Sequence, residues 1–222
     1  MDHDKRIHEQ STVRRTAVPF PATGLKAWHS RASTRFFTHY NLLTCLERIP
    51  AILRRTIIFS AGEIDCREGI GGLLLQGYYR NCADAVESTV IEYLTSLASI
   101  ADKYQIQILV MPVAPHAYRS EKNGKSMGRA KRRETMQLWN ETLRRELVNE
   151  RSLTLQQDNT QVKYNRVFLL DYEKKLQYPD DNSPVGYVLH PSYNADFTHV
   201  NSAIIPLVED AILHCGCDLS LI

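Results

Sequence analysis

The chain has 222 residues, with 27 Lys and Arg against 25 Asp and Glu and a net charge of +2. Hydrophobic residues make up 43% and charged residues 23%, which is typical of a globular domain and excludes a disordered or fibrous chain. The balanced charge argues against a nucleic-acid binder, and no apolar run approaches the roughly 20 residues of a membrane span. We therefore expect a single domain over 1–222, with flexible ends at 1–12 and 215–222.

The cysteines and the first residues bear on the compartment. Five cysteines at scattered positions, an odd number, favour reduced thiols over a disulfide scaffold. Cys215 and Cys217 have no second Cys or His pair at zinc spacing, so we expect no metal there. The first ten residues are charged and lack the apolar core of a secretory signal. For the chain as given, we expect a cytoplasmic location.

Apolar runs and helical periodicity alternate along the chain. Short apolar runs rich in β-branched residues predict buried strands, and 3–4 residue spacing of apolar residues predicts amphipathic helices. In chain order we expect a weak strand at 13–20, a strand at 55–60, a helix at 83–104, a strand at 107–113, a helix at 130–150, a strand at 166–171 and a helix at 201–213. This alternation predicts an α/β fold with a mainly parallel sheet.

The site is expected at one edge of that sheet. The carboxyl ends of parallel strands meet there, and ligands of open α/β sheets bind outside it. The loops at 62–69 and 112–116 and the segment leading to His199 should therefore form the site. We expect irregular loops at 117–129 and 173–198, the second of which is long enough to be functional.

Two short motifs carry the candidate chemistry. In Asp196-Phe197-Thr198-His199, just before the last helix, the carboxylate can hold one imidazole nitrogen and leave the other as a general base. The alternative is a solvated Asp and a surface or capping His.

At 62–67 the sequence Gly-Glu-Ile-Asp-Cys-Arg ends the first clear strand, where Gly62 permits a turn. The alternative is an internal ion pair of Arg67 with Glu63 or Asp65.

The order of these segments over 13–214 resembles the SGNH/GDSL hydrolase superfamily. The resemblance implies a flavodoxin-like three-layer sandwich and hydrolysis of a carbohydrate or other small ester by a Ser-His-Asp mechanism, without a metal or an organic cofactor. Asp196 would be the orienting acid and His199 the general base. Gly24 would supply an oxyanion N–H, and the third sequence block would contribute to the oxyanion and substrate site through Gly62, Glu63, Asp65 and Arg67.

The chain departs from the family pattern in two places. Ile64 stands where the family has an Asn oxyanion donor, and Arg67 is the residue that could compensate. There is also no Gly-Asp-Ser in the chain. If 13–20 is the second strand, the first strand and its Ser would precede Met1, and the strand at 55–60 would have one bare edge. We expect 13–20 to fill that gap; the alternatives are pairing with a second copy of the chain and an edge that stays open. An incomplete gene model, a short isoform and a pseudoenzyme fit this pattern equally.

Other residues could take part in the site. Ser30 and Cys66 are candidate replacements for the nucleophile, and His116 is expected to cap the pocket. Tyr187 and the pair Tyr78-Tyr79 could line a sugar site, although packing explains them equally well. A basic run at the start of the second long helix is expected to be a solvated face; it comprises Lys125, Arg129, Lys131, Arg132 and Arg133.

Three functional hypotheses follow from the sequence. The first is an SGNH-type ester hydrolase whose partner is a small-molecule or carbohydrate ester, with no nucleic acid and no membrane involved. The second is a non-catalytic domain that binds a small molecule or glycan and has lost the nucleophile. The third is a metal-dependent hydrolase, whose ligands would be Glu63, Asp65, Asp196 and His199.

Overall fold

The computed structural model describes residues 26–30, 37–117, 126–149, 164–195 and 199–222. Within these ranges, a parallel sheet has the strand order β1 (Thr56–Phe59), β2 (Gln107–Val110), β3 (Val167–Leu169). Ile58 lies in register with Leu109, and Leu109 with Phe168. A separate antiparallel hairpin joins β4 (Gln177–Pro179) to β5 (Tyr187–Leu189). The predicted α/β class with a parallel sheet is confirmed.

Among the described residues, three of the five α-helices match helices that we predicted, and two were not predicted. They are α1 (Phe37–Arg48), α2 (Ile70–Leu75), α3 (Cys82–Tyr104), α4 (Ser126–Arg144) and α5 (Ile205–His214). The Asn81 side chain accepts the Asp84 N–H at 2.8 Å and caps the start of α3. The left-handed Gln105, with φ 53°, follows its last residue. We did not predict α1, although its buried Leu42 and Leu46 are four residues apart.

The sheet separates two apolar layers. Alternate residues of a strand point to opposite faces, so Ile108 and Val110 pack in one cluster and Leu109 in the other. The first cluster contains the buried faces of α3 and α4, among them Val90, Leu97 and Trp139. The second contains Ala211 and Ile212 of α5. The described part of the chain is thus layered as helix, sheet and helix.

The C-terminal residues fix the direction of α5. The Asp218 N–H donates to the Gln107 side chain at 2.6 Å, and the Thr56 hydroxyl donates to the Leu221 carbonyl at 3.0 Å. Gln107 and Thr56 begin β2 and β1, so the segment 215–222, expected to be flexible, lies against the amino edge of the sheet. A helix of 10 residues spans about 15 Å, close to the length of these strands. Asn201, which precedes α5, donates to the Tyr193 carbonyl, and Leu189 of the same segment pairs with Ala117 beyond the carboxyl end of β2. The start of α5 therefore lies toward the carboxyl edge.

Three sequence expectations need comment. The segment 62–69 is largely helical and not a loop, because a π-helical turn at Asp65–Gly69 runs directly into α2. The expected loop at 173–198 contains the β4–β5 hairpin, and α4 begins at Ser126, inside the expected loop at 117–129. The predicted strand at 13–20 lies outside the described residues. Among those residues β1 pairs with β2 alone, and its Ile58 is 40% exposed.

None of the helices in the described ranges has the length and apolar character that crossing a membrane requires.

Candidate functional site

Gly62, three residues after β1, has a backbone conformation that other residues rarely adopt. Its φ is 108°, and a Cβ at this position would lie 2.7 Å from the Trp139 ring. Trp139 is fully buried and its indole N–H has no hydrogen-bond partner among the described residues. Glycine is therefore required both for the turn and for the close approach of α4.

Glu63 lies at the centre of an ion-pair cluster. Its carboxylate accepts from Arg132 at 2.6 Å and lies 3.5 Å from Arg67, which also pairs with Glu68 at 3.1 Å. The Arg132 side chain is only 11% exposed, so this part of the basic run is not the solvated face that we expected. Burial lowers the pKa of Arg132, although the negative charge of Glu63 opposes the effect. The ion pair of Arg67 with Glu63, which is the structural alternative to a functional role for this segment, is present.

Asp65 has a different role from Glu63. Its side chain is 1% exposed and accepts the backbone N–H of Ala27 at 2.7 Å and that of Trp28 at 3.2 Å. The carboxylate thereby anchors the 3-10 turn at Ala27–Ser30 beside the end of β1. Burial raises the pKa of Asp65, and the two N–H donors partly oppose this.

The two candidate replacement nucleophiles are poorly disposed for attack. Ser30 is 1% exposed, and its hydroxyl donates to the Ala27 carbonyl at 2.6 Å. Cys66 is 4% exposed, and burial together with the nearby charges of Asp65 and Glu63 raises the pKa of its thiol well above the usual value. Since the thiolate is the reactive form, Cys66 is held as a structural thiol.

The segment after β2 is fixed to α4 by a single side chain. Asn140 accepts the Val113 N–H at 2.9 Å and donates to the Val113 carbonyl at 2.7 Å. Nearby, the Nδ1 of His116 lies 2.6 Å from the Ala117 carbonyl, which can only accept, so Nδ1 carries the proton. The side chain of His116 is buried.

A small pocket opens beside His116, and its cavity volume of about 10 Å³ is room for about one water molecule. Glu173 lies in the wall of the pocket and is only 3% exposed. Its carboxylate accepts a hydrogen bond from the Gln177 amide at 2.7 Å. Tyr187 hydrogen-bonds the same carboxylate, and burial is the main cause that raises the pKa of this phenol. The walls come from α4, the segment after β2 and the hairpin region, and are formed by Pro115, His116, Arg133, Met136, Asn140, Glu173, Val185 and Tyr187.

His199 precedes α5 in the chain. Its carbonyl accepts the Ala195 N–H at 3.0 Å, and Asn194 pairs with Val200. The side chain of His199 is exposed. Because α5 starts at the carboxyl edge, His199 lies on the same side of the sheet as Gly62 and His116. Asp196 and Gly24 lie outside the described residues.

The structure thus brings part of the expected site together. The two described parts are the block that begins at Gly62 and the pocket beside His116, and helix α4 contacts both. Arg132 and Trp139 contact Glu63 and Gly62, respectively. The neighbouring Arg133 lines the pocket. Sequence reasoning missed Asn140 and Glu173, because a polar residue on a helix or in a loop carries no pattern that distinguishes it from a solvated one. Among the described residues, no group of three or more His, Cys, Asp or Glu side chains is arranged to hold a metal ion.

Comparison with known proteins gives one structural likeness. No family model and no curated protein matches the chain. The structure is similar to that of a GDSL-like lipase from Bacteroides thetaiotaomicron VPI-5482, with 11% sequence identity and a TM-score of 0.38. The match covers 79% of this chain and 95% of the lipase chain.

Proposed function

We propose that this chain is an SGNH-type ester hydrolase domain that acts on an acylated carbohydrate or another small ester. The observation that supports it best is that three sequence-predicted elements lie on the carboxyl side of the sheet: the block that begins at Gly62, the segment that ends at His116, and His199. Ligands of open parallel sheets bind at this edge.

In the proposed reaction, a Ser hydroxyl attacks the ester carbonyl while His199 takes its proton. Asp196 would hold the imidazole in the required tautomer, and the N–H of Gly24 would face the oxyanion. Arg67 is the candidate to supply the charge that the family's Asn provides and Ile64 cannot. The imidazolium gives that proton to the alcohol as the ester C–O bond breaks, which leaves the acyl group on the Ser. His199 then takes a proton from water, whose attack releases the carboxylic acid while the proton returns to the Ser.

The chain holds no Gly-Asp-Ser, and the environments of Ser30 and Cys66 support a second candidate. In that case the domain keeps the pocket and binds a small molecule or glycan without turning it over. A hydroxyl that already donates to a backbone carbonyl and a buried thiol of raised pKa are both poor nucleophiles.

Hydrolysis of p-nitrophenyl acetate separates the two candidates. We expect low turnover by the chain as given, since the base lacks a well-placed hydroxyl to activate. A hydrolase site should lose that turnover in His199→Ala and keep it in His214→Ala, a matched exposed histidine at the opposite end of α5. Robust turnover that falls in both His199→Ala and Ser30→Ala would identify Ser30 as a replacement nucleophile.

Binding without turnover would support the second candidate. Titration with xylose tetraacetate should then shift the imidazole NMR signals of His199 and His116 and leave those of His214 unchanged. Shifts in none of the three signals, together with turnover that is unaffected by His199→Ala, would exclude both candidates at this edge of the sheet.

A further inference from the structure

Cys215 and Cys217 lie at the end of α5, which faces away from the candidate ester site. Cys215 follows the last residue of the helix, and Gly216 turns the chain with a φ of 78°. The Sγ of Cys215 lies 3.4 Å and the Sγ of Cys217 lies 3.7 Å from the same Ile212 carbonyl oxygen. The two thiols also hydrogen-bond each other. The sulfur atoms therefore converge on one point without rearrangement of the backbone.

One backbone acceptor faces both thiols. Ile212 is in the last turn of α5, where carbonyl groups lack helical partners. A thiophilic cation can displace the thiol protons and face the carbonyl oxygen in their place.

The number of ligands selects the kind of ion. Structural zinc takes four ligands, and the described part of the chain contains no cluster of three or more His, Cys, Asp or Glu side chains. Soft thiolate ligands select Cu(I), a d10 ion that is stable with two sulfur ligands. We propose that Cys215 and Cys217 form a two-sulfur binding site for Cu(I). This departs from the sequence expectation of no metal there, which rested on the ligand spacing that zinc requires.

Binding is a proton-for-metal exchange. Two S–H bonds break, two S–Cu bonds form, and two protons pass to the solvent, while copper and sulfur keep their oxidation states. The site is separate from the proposed ester chemistry, because the segment that follows it is bonded to Gln107 and Thr56 at the amino edge of the sheet.

Anaerobic titration of the full chain with Cu(I), in competition with the chelator bicinchoninate, tests the site. We expect one tightly held ion per chain and release of two protons per ion. Cys215→Ser and Cys217→Ser should each weaken binding by more than the roughly 10- to 100-fold that loss of a supporting outer residue costs. Cys45→Ser, which alters a partly exposed thiol on α1, is the matched control and should bind as the wild type does.

The wild-type chain gives a second readout that does not depend on folding of the variants. Bound Cu(I) should protect Cys215 and Cys217 from iodoacetamide, as read by peptide mass spectrometry. Three results would overturn the proposal. They are Cu(I) uptake that is unchanged in both Ser variants, Cu(I) uptake that is lost in Cys66→Ser instead, and no protection of Cys215 and Cys217 from iodoacetamide. So would a freshly purified chain in which the pair is already a disulfide that resists Cu(I).

Discussion

The carboxylate of Asp65 holds the backbone of Ala27, 38 residues away in the chain, through a hydrogen bond of 2.7 Å. The neighbouring N–H of Trp28 donates to the second oxygen at 3.2 Å. Gly24, the expected oxyanion glycine, precedes Ala27 by three residues in the sequence. Asp65 is therefore a positioning residue in the proposed site, one that ties the segment after β1 to the chain that follows Gly24.

Asp65 should make the protein's stability depend on pH in the direction opposite to that of most carboxylates. Its pKa in the folded chain is raised above the reference value of 3.8, chiefly by burial. Its contribution to the free energy of unfolding is therefore complete below about pH 4 and is lost as the pH rises through the raised pKa. We expect the stability of the wild type relative to Asp65→Asn to fall as the pH rises above about 4, as measured by urea unfolding.

Asp181→Asn is the control for this measurement. Asp181 is exposed in the turn between β4 and β5, and its replacement should change stability little at any pH. A relative stability that rises with pH for Asp65→Asn would contradict the assigned environment. Asp65→Ala, which removes both acceptors from buried N–H groups, should cost about 1–3 kcal/mol more than the control.

Gly62→Ala should destabilise the fold far more than Gly77→Ala. Both glycines have positive φ, 108° and 74°, but a Cβ at Gly62 meets Trp139 at 2.7 Å and one at Gly77 meets nothing within 4 Å. Backbone strain costs of order 1–3 kcal/mol at each position, and overpacking adds a further 1–3 kcal/mol or so at Gly62 alone. Thermal and urea unfolding of the two variants measures the difference.

A double variant separates the backbone strain at residue 62 from the steric overlap of its new methyl group with Trp139. In Gly62→Ala/Trp139→Phe the smaller ring gives the new methyl group room, so the two changes should destabilise less than additively. The indole N–H has no hydrogen-bond partner among the described residues, so Phe removes no hydrogen bond there. If the losses of stability in the two single variants add exactly in the double variant, contact with Trp139 is not what destabilises Gly62→Ala.

The spacing of apolar residues along the chain predicted most of the strands and helices, because the buried positions of these elements recur periodically. The run at 55–60 and the 3–4 spacing in α3 each identify an apolar face from neighbouring residues alone. The site depends on partners that are distant in sequence, such as Glu63 with Arg132 or Asp65 with Ala27. The sequence placed Gly62 at a turn, but it could not show that Trp139 lies against it. Arg132 looked like a solvated residue because its charge partner lies 69 residues away.

Asn140→Ala should loosen the segment after β2. The side chain makes two hydrogen bonds with the Val113 N–H and carbonyl, at 2.9 and 2.7 Å, in a buried place. Loss of both leaves two unsatisfied backbone groups, which we expect to cost about 2–4 kcal/mol. Asn140→Asp should be similarly harmful, because a second oxygen would face the Val113 carbonyl. Asn182→Ala, at an exposed turn residue, is the control for urea unfolding.

Hydrogen exchange adds a local test of the same clamp. The Val113 amide should be protected in the wild type and exchange much faster in Asn140→Ala, while amides of α3 change only with global stability. Equal protection of Val113 in both proteins would mean that the clamp is not what holds this segment.

Cys66 should resist alkylation in the folded chain. Its pKa is raised by burial and by the negative charges of Asp65 and Glu63, so little thiolate is present at pH 8. We expect iodoacetamide to modify the partly exposed Cys45 well before Cys66, with the two rates becoming similar in urea. Glu63→Gln should speed the reaction of Cys66 modestly, because it removes one of the charges that disfavour the thiolate. If Cys66 instead reacts first in the native protein, its thiol is activated, and it becomes the leading candidate for the nucleophile at this edge of the sheet.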